Sequence, residues 1–217
     1  MSTSFANLPM DLVWFEQTYW RTIGCIPANQ TALMSLTDDE GDTSVGRKLM
    51  EKLGPKPFAI ATEDFSESVL HWPLWPSHWS ASRFSDGQSY GLLYAAMERE
   101  TALAEAKHCY GSFFADVGVP LASAPRQQRG LFTFQNSELL ADTRKAVKKQ
   151  SLLMADDHTW CRTFGYYLAN HLQSGWAYRS ARCENGSAIA LLRAENATSV
   201  QWMETIDLGG ESIAGQS

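Results

Sequence analysis

The chain has 217 residues, of which 44% are apolar and 19% charged, and its net charge is −6. That length and balance describe one large globular domain before two small ones, with a core that needs no crosslinks, and they exclude a disordered chain. The acidic total and the lack of a basic stripe argue against binding nucleic acid through its phosphates, and no apolar run reaches the ~20 residues of a membrane helix.

In chain order, residues 11–26 are rich in aromatics and include "TYWRTIGCI", read as a strand entered from a short helical segment. Residues 27–42 are polar and turn-like. "SVGRKLMEKLG" reads as a short helix stopped by Gly54 and Pro55. Residues 55–82 carry prolines and tryptophans, with "LHWPLWPSHW" as a dense aromatic wall, and are expected to be largely irregular. "SYGLLYAA" is a buried strand, and "ERETALAEAKHCYGSFFADV" is a helix built on alanine and leucine with acidic residues in its first turn. "GLFTFQ" is a strand, and "SELLADTRKAVKK" reads as one or two turns of helix or neither.

"DDHTWCRTFGYYLANHLQS" is a helix opened by an Asp cap, with Trp160, Phe164, Leu168 and Leu172 in i+4 steps on one face. Gly175 then turns the chain into the strand "WAYRSAR", and "SAIALLRA" and "SVQWMETI" are two further strands. No internal repeat occurs. The alternation of elements is too irregular for a doubly wound parallel sheet. Cys25, Cys109, Cys161 and Cys183 form no CxxC pair, which fits reduced thiols. "MSTSFANLPMDLVW" lacks a basic region followed by an apolar one, so a cytoplasmic protein is expected.

The familiar chemical motifs are missing. There is no GxGxxG, Walker loop or GxSxG, no HExxH, and the five histidines show no ligand spacing, so no metal is expected. Taken alone, Glu105 reads as a solvated helix residue, Arg83 as the start of a turn and Tyr94 as core at the end of a strand. In a strand through "YRSAR", Ser180 and Arg182 share a face while Arg179 points away. By themselves these residues support no more than a soluble domain with an anion pocket.

In order, however, they resemble the RES domain family, the toxins of bacterial RES–Xre toxin–antitoxin pairs, named for an arginine, a glutamate and a serine. "YWRTIG" resembles the family's opening strand and puts its arginine at Arg21. "SRFSDGQSYGLLYAAMERETALAEAKHCY" resembles its arginine turn, tyrosine strand and glutamate helix, at Arg83, Tyr94 and Glu105. "DDHTWCRTFGYYLANHLQSGWAYRSARCENGSAIALLR" resembles its last helix and serine strand, at Ser180. The chain departs from the family pattern at Arg179, where proline is usual, and in "ENGS", where two glycines are usual.

The resemblance implies an α+β single domain like the ADP-ribosyltransferase fold, with short mixed or antiparallel strands flanked by helices. An N-terminal segment (1–18), the RES domain (19–207) and a disordered tail (208–217) are expected. It implies NAD⁺ as substrate, with no further cofactor, cleaved at the nicotinamide–ribose bond by hydrolysis or phosphorolysis, or used to modify a protein. A non-catalytic module that binds nucleotide or a partner is the alternative from another class. Arg21 and Arg83 would bind the pyrophosphate, with Arg182 beside them; Tyr94 would stack on nicotinamide. Glu105 would stabilise positive charge on the ribose, and Ser180 would hydrogen-bond the amide or ribose. An Xre-type antitoxin is the implied partner, and a homodimer is left open.

Overall fold

The computed structural model describes residues 10–24, 67–116, 118, 127–145, 157–172 and 174–208. The turn expected over 27–42, the helix expected over 44–54, Cys25 and all but the first residue of the expected tail lie outside them.

The elements in order are β1 (Asp11–Gly24), a π turn (Glu67–His71), two 3-10 turns (Trp72–Leu74 and Pro76–His78), β2 (Leu93–Ala96), α1 (Arg99–Asp116), β3 (Gln127–Asp142), α2 (Thr159–His171), β4 (Gly175–Arg179), β5 (Ser187–Leu191) and β6 (Ala197–Leu208). This is a mixed α+β domain. β1 pairs with β3 along its whole length, from Asp11↔Asp142 to Gly24↔Arg129, and meets β2 only at Trp20↔Ala96. β2 pairs with β5 and β5 with β4, all antiparallel. β4 then rejoins the end of β3 in parallel at Ala141↔Trp176 and Asp142↔Ala177. These pairings close β1, β2, β5, β4 and β3 into a ring. β3 is long enough for its second edge to carry β6 along Gln127–Asn136 before it reaches β4.

Side chains alternate across each strand, which gives the ring two apolar layers. Inside lie Tyr19, Ile23, Phe132, Phe134, Leu93, Ala177, Ile189 and Leu191. On the outside, Trp176, Tyr178, Ala188 and Ala190 pack under Cys161, Phe164 and Leu168 of α2. Further along the outer face, α1 covers Ala96, Leu131 and Ile206 with Ala102 and Ala106. α2 follows the apolar spacing read from the sequence, with Phe164 and Leu168 buried and Trp160 and Leu172 packed beside them. α2 opens without the expected Asp side-chain cap: its N-cap is His158, and Asp157, one residue before it, accepts the N–H (2.9 Å) and hydroxyl (2.7 Å) of Thr159 through Oδ1.

Four further expectations are corrected. Residues 11–18 hold no helical turn: they continue β1 as a ribbon with β3, which also runs unbroken through the expected boundary at residue 18. "SELLAD" is strand, because that ribbon supplies its backbone partners through Asp142. β1, β3 and β6 are long, at 14, 16 and 12 residues. β4 ends at Arg179, so Ser180 and Arg182 lie in the turn beyond it, and the alternation of a strand does not govern where they point.

Glu138 ties the ring to the β5–β6 turn. Its buried carboxylate accepts from Ser174 Oγ (2.7 Å), Asn196 Nδ2 (2.7 Å) and Arg193 Nη2 (3.0 Å). Burial alone would raise its pKa; these hydrogen bonds and the guanidinium charge outweigh burial and hold it below the ordinary glutamate value. A folded pKa below the unfolded one gives stability that is present above the ordinary value and is lost as pH falls through the depressed one. Glu138→Gln is therefore expected to cost about 2–4 kcal/mol at neutral pH. The gap to the wild type should close below about pH 4. Urea unfolding at both pH values checks this, and a gap that stays constant would deny the carboxylate its role.

Candidate functional site

The outer face of the ring, between α1 and α2, collects most of the residues singled out in the sequence. Glu105 stands on α1, and the turn after β4 brings Ser180 to it: Ser180 Oγ donates to Glu105 Oε1 at 2.6 Å. Local chemistry explains the turn. Ser180 Oγ accepts the backbone N–H groups of Arg182 (3.0 Å) and Cys183 (3.1 Å), the serine turn that ends the strand. Ser180 N–H bonds Gly186 C=O, and Asn185 supplies the left-handed residue at φ 61°. Gly186 lets the turn lie on α1, since a Cβ there would sit 2.4 Å from Thr101 Oγ1. Glu98 locks the contact: its Oε2 accepts Thr101 Oγ (2.7 Å) and the Ser187 N–H (2.9 Å).

A serine hydroxyl has one hydrogen to donate and two lone pairs. All three are engaged within the protein, so the geometry makes Ser180 the group that orients the Glu105 carboxylate. Ser180 is buried, and Glu105 is partly open to solvent.

Tyr94 links the arginines. Its hydroxyl bonds Ser82 Oγ (2.8 Å) and accepts the Phe84 N–H (3.2 Å), which fixes the backbone on both sides of Arg83. Burial pushes its pKa up to about 12. Its carbonyl accepts from Arg21 Nη1. That bond sits where β1 and β2 part company after Trp20↔Ala96, so the Arg21 guanidinium takes the place of a ladder partner at the mouth of the split. Burial, with the charge of Arg129 adding to it, lowers Arg21 to about 10, and it remains protonated at neutral pH. α2 braces the Arg83 segment from the other side: Arg162 Nε donates to Ser82 C=O (3.0 Å), and Arg83 hydrogen-bonds the buried Cys161 thiol.

The charges of Arg83, Arg182 and Arg129 all reach the exposed Cys109, one helical turn beyond Glu105. Burial and the neighbouring Glu105 raise that thiol's pKa, and the three arginines oppose the rise. Tyr178 completes the floor. It is buried against the Phe84 ring (4.9 Å, edge-on), and burial first, then Tyr94 and Glu105, push its pKa up.

Thus Arg83, Tyr94, Glu105, Ser180 and Arg182 come together, with Arg21 joined through the Tyr94 carbonyl. Sequence reasoning missed Tyr178 and Arg129. Tyr178 lies two residues before Ser180 and could have been drawn in with it. Arg129 carries no local signal, because only strand register brings it near. A carboxylate oriented by a hydroxyl and bordered by guanidinium groups can hold an anionic ligand and stabilise positive charge that develops beside it.

A sequence model described as the RES domain matches residues 57–208. No curated protein matches. Among solved structures, one titled "Crystal structure of the M.tuberculosis MbcT-MbcA toxin-antitoxin complex" is similar, with a TM-score of 0.49 and 14% identity, covering 91% of this chain and 86% of that one. The RES match takes in Arg83, Tyr94, Glu105, Ser180 and Arg182 and spans well over half of the sequence, and the chain belongs to the RES domain family.

Proposed function

We propose that this chain is the toxin of a bacterial toxin–antitoxin pair, on an ADP-ribosyltransferase-like fold, and that it consumes NAD⁺ in the cytoplasm by cleaving the nicotinamide–ribose bond. Membership of the RES family supports the reading, and the Glu105–Ser180 contact at 2.6 Å carries it. As the C–N bond breaks, its electron pair leaves with nicotinamide and positive charge builds on the ribose. A carboxylate held in advance stabilises that charge with no reorganisation at the moment of reaction. Arg21 and Arg83 suit the two negative charges of the pyrophosphate, and the part-exposed Tyr94 ring between their anchor points offers an aromatic face to the cationic nicotinamide. Water or phosphate then adds to the ribose carbon through oxygen and releases a proton to solvent.

An enzyme that drains NAD⁺ must be held silent in its host, and an Xre-type antitoxin that covers the site is the partner this reading requires. The test is a time course of NAD⁺ with purified protein, with and without phosphate and with and without cell extract. Free nicotinamide with ADP-ribose is the expected product of hydrolysis, and a phosphate-dependent sugar phosphate that of phosphorolysis. Label from NAD⁺ fixed in protein would mark transfer to a protein acceptor instead. NAD⁺ left intact under every condition overturns the enzyme and leaves a binding module.

A further inference from the structure

We propose that the Tyr178 hydroxyl is a further substrate-binding group, which donates a hydrogen bond to an oxygen of the ribose held against Glu105. The ribose as its partner rests on the NAD⁺ reading; the open donor itself stands on geometry.

Strand register puts Tyr178 on the site's side of the sheet. Tyr178 is opposite Ala188, and Ala188 is opposite Ala96. In the next row of the same face, Trp176, Ala190 and Tyr94 line up in the same way. Directly paired residues share a face, so Tyr178 and Tyr94 both stand on the outer face with alanines between them. The Phe84 ring packs edge-on to Tyr178 at 4.9 Å, in one cluster with Ala188, Ala190 and the α2 residues Cys161 and Phe164. Ser180 follows two residues later, so its Cα lies within about 7 Å of the Tyr178 Cα. Ser180 Oγ in turn touches Glu105 of α1 at 2.6 Å. Tyr178 is thus seated between the α2 side of the site and its carboxylate.

Only 6% of Tyr178 is exposed, and its packing neighbours are apolar, so phenylalanine would fill the place as well. The hydroxyl has no hydrogen-bond partner among the described residues, and it is not one of the polar atoms sealed from solvent. A polar group at that depth costs stability unless something bonds it. The neighbouring hydroxyls are occupied. Tyr94 bonds Ser82 and the Phe84 N–H. Ser180 gives its hydrogen to Glu105 and both lone pairs to its own turn. The bond to the sugar that the resemblance gave to Ser180 is therefore left for Tyr178. Burial raises the Tyr178 pKa, so the phenol is protonated at neutral pH, and its electrostatic coupling to Glu105, Arg83 and Cys109 agrees with that seat. A sugar oxygen can accept from the phenol while its own hydrogen goes to the Glu105 carboxylate.

The experiment uses ADP-ribose as the probe, titrated calorimetrically into the full chain, because it carries the ribose without the reactive bond. Tyr178→Phe removes one oxygen and keeps the ring against Phe84. It is expected to weaken ADP-ribose binding by about 3–10-fold and to raise KM for NAD⁺ by a similar factor. Its Tm should stay within about 2 °C of the wild type, because no bond inside the protein is lost. Tyr166→Phe removes the same atom from a tyrosine of α2 that is 56% exposed, and should change binding by less than about two-fold.

ADP-ribose bound equally by Tyr178→Phe and the wild type overturns the proposal and leaves the hydroxyl to water. So does equal weakening in the two phenylalanine variants, and so does a wild type that binds no ADP-ribose. A Tm lowered beyond that margin overturns it as well, since the hydroxyl would then have a partner inside the protein. The two readings separate cleanly. If NAD⁺ stays intact but Tyr178→Phe weakens ADP-ribose binding at an unaltered Tm, the tyrosine contact stands and the NAD⁺ activity falls. If NAD⁺ is cleaved with the same KM in wild type and Tyr178→Phe, the tyrosine contact falls and the activity stands.

Discussion

Glu105→Gln is expected to lower NAD⁺ turnover by about 10²–10³-fold while leaving KM and thermal stability close to the wild type. The amide keeps the size of the carboxyl and an oxygen to accept the Ser180 hydroxyl, so the 2.6 Å contact and the turn behind it survive. What is lost is the negative charge that answers the positive charge on the ribose, and that interaction exists mainly in the transition state. Ser180→Ala tests the same unit from the other side. It removes the hydroxyl that orients Glu105 and the acceptor for two backbone N–H groups, so kcat should fall with little change in KM. The double variant should be scarcely slower than Glu105→Gln alone, because a serine that acts through Glu105 has nothing left to orient once the charge is gone. Additive losses would give Ser180 an independent contact with substrate. Unchanged turnover in Glu105→Gln would remove Glu105 from the chemistry.

What could be read from the sequence depended on where the information resides. α1 and α2 declare themselves locally: alanine and leucine in one, and apolar residues every fourth position in the other, dictate helix before any tertiary contact forms. Their bounds at Arg99–Asp116 and Thr159–His171 follow that pattern. "SELLAD" failed because glutamate, leucine and alanine favour helix, while the pairing of β3 with β1 overrides that preference. The aromatic run at 11–18 gave no clean alternation because the ribbon exposes Leu12 and Trp14, so apolar residues fall on both of its faces. Ser180 was assigned to the site through the family resemblance, but its job was not legible: the strand stops one residue earlier, and the serine's hydrogen bonds to its own turn and to Glu105 depend on a helix 75 residues away. Arg129 is the extreme case: nothing in its neighbours in sequence marks it, and only the pairing of β3 brings its charge near Cys109.

Gly165→Ala and Gly111→Ala are expected to move stability in opposite directions, although each adds one methyl group to a helix. Alanine is worth up to about 1 kcal/mol over glycine in a helix interior. A Cβ on Gly111, in α1, would meet nothing within 4 Å, so the variant should gain most of that and melt about 2–4 °C higher. A Cβ on Gly165, in α2, would sit 2.1 Å from the Phe84 carbonyl oxygen and 2.9 Å from its carbonyl carbon and Cβ. Backbone cannot swing aside as a flexible side chain does, so the helix must lift or the 82–85 segment must move. Overpacking of that kind costs about 3 kcal/mol and leaves a net loss near 2 kcal/mol, or about 4–8 °C in Tm. The same displacement reaches the site, since Phe84 follows Arg83, and its N–H is one of the bonds by which Tyr94 holds that turn. KM for NAD⁺ should therefore rise in Gly165→Ala and stay put in Gly111→Ala. Calorimetry with steady-state kinetics on the pair checks both. Matching shifts in Tm would mean that α2 does not press on the arginine turn, and a lower Tm with an unaltered KM would mean that the turn's position does not govern substrate binding.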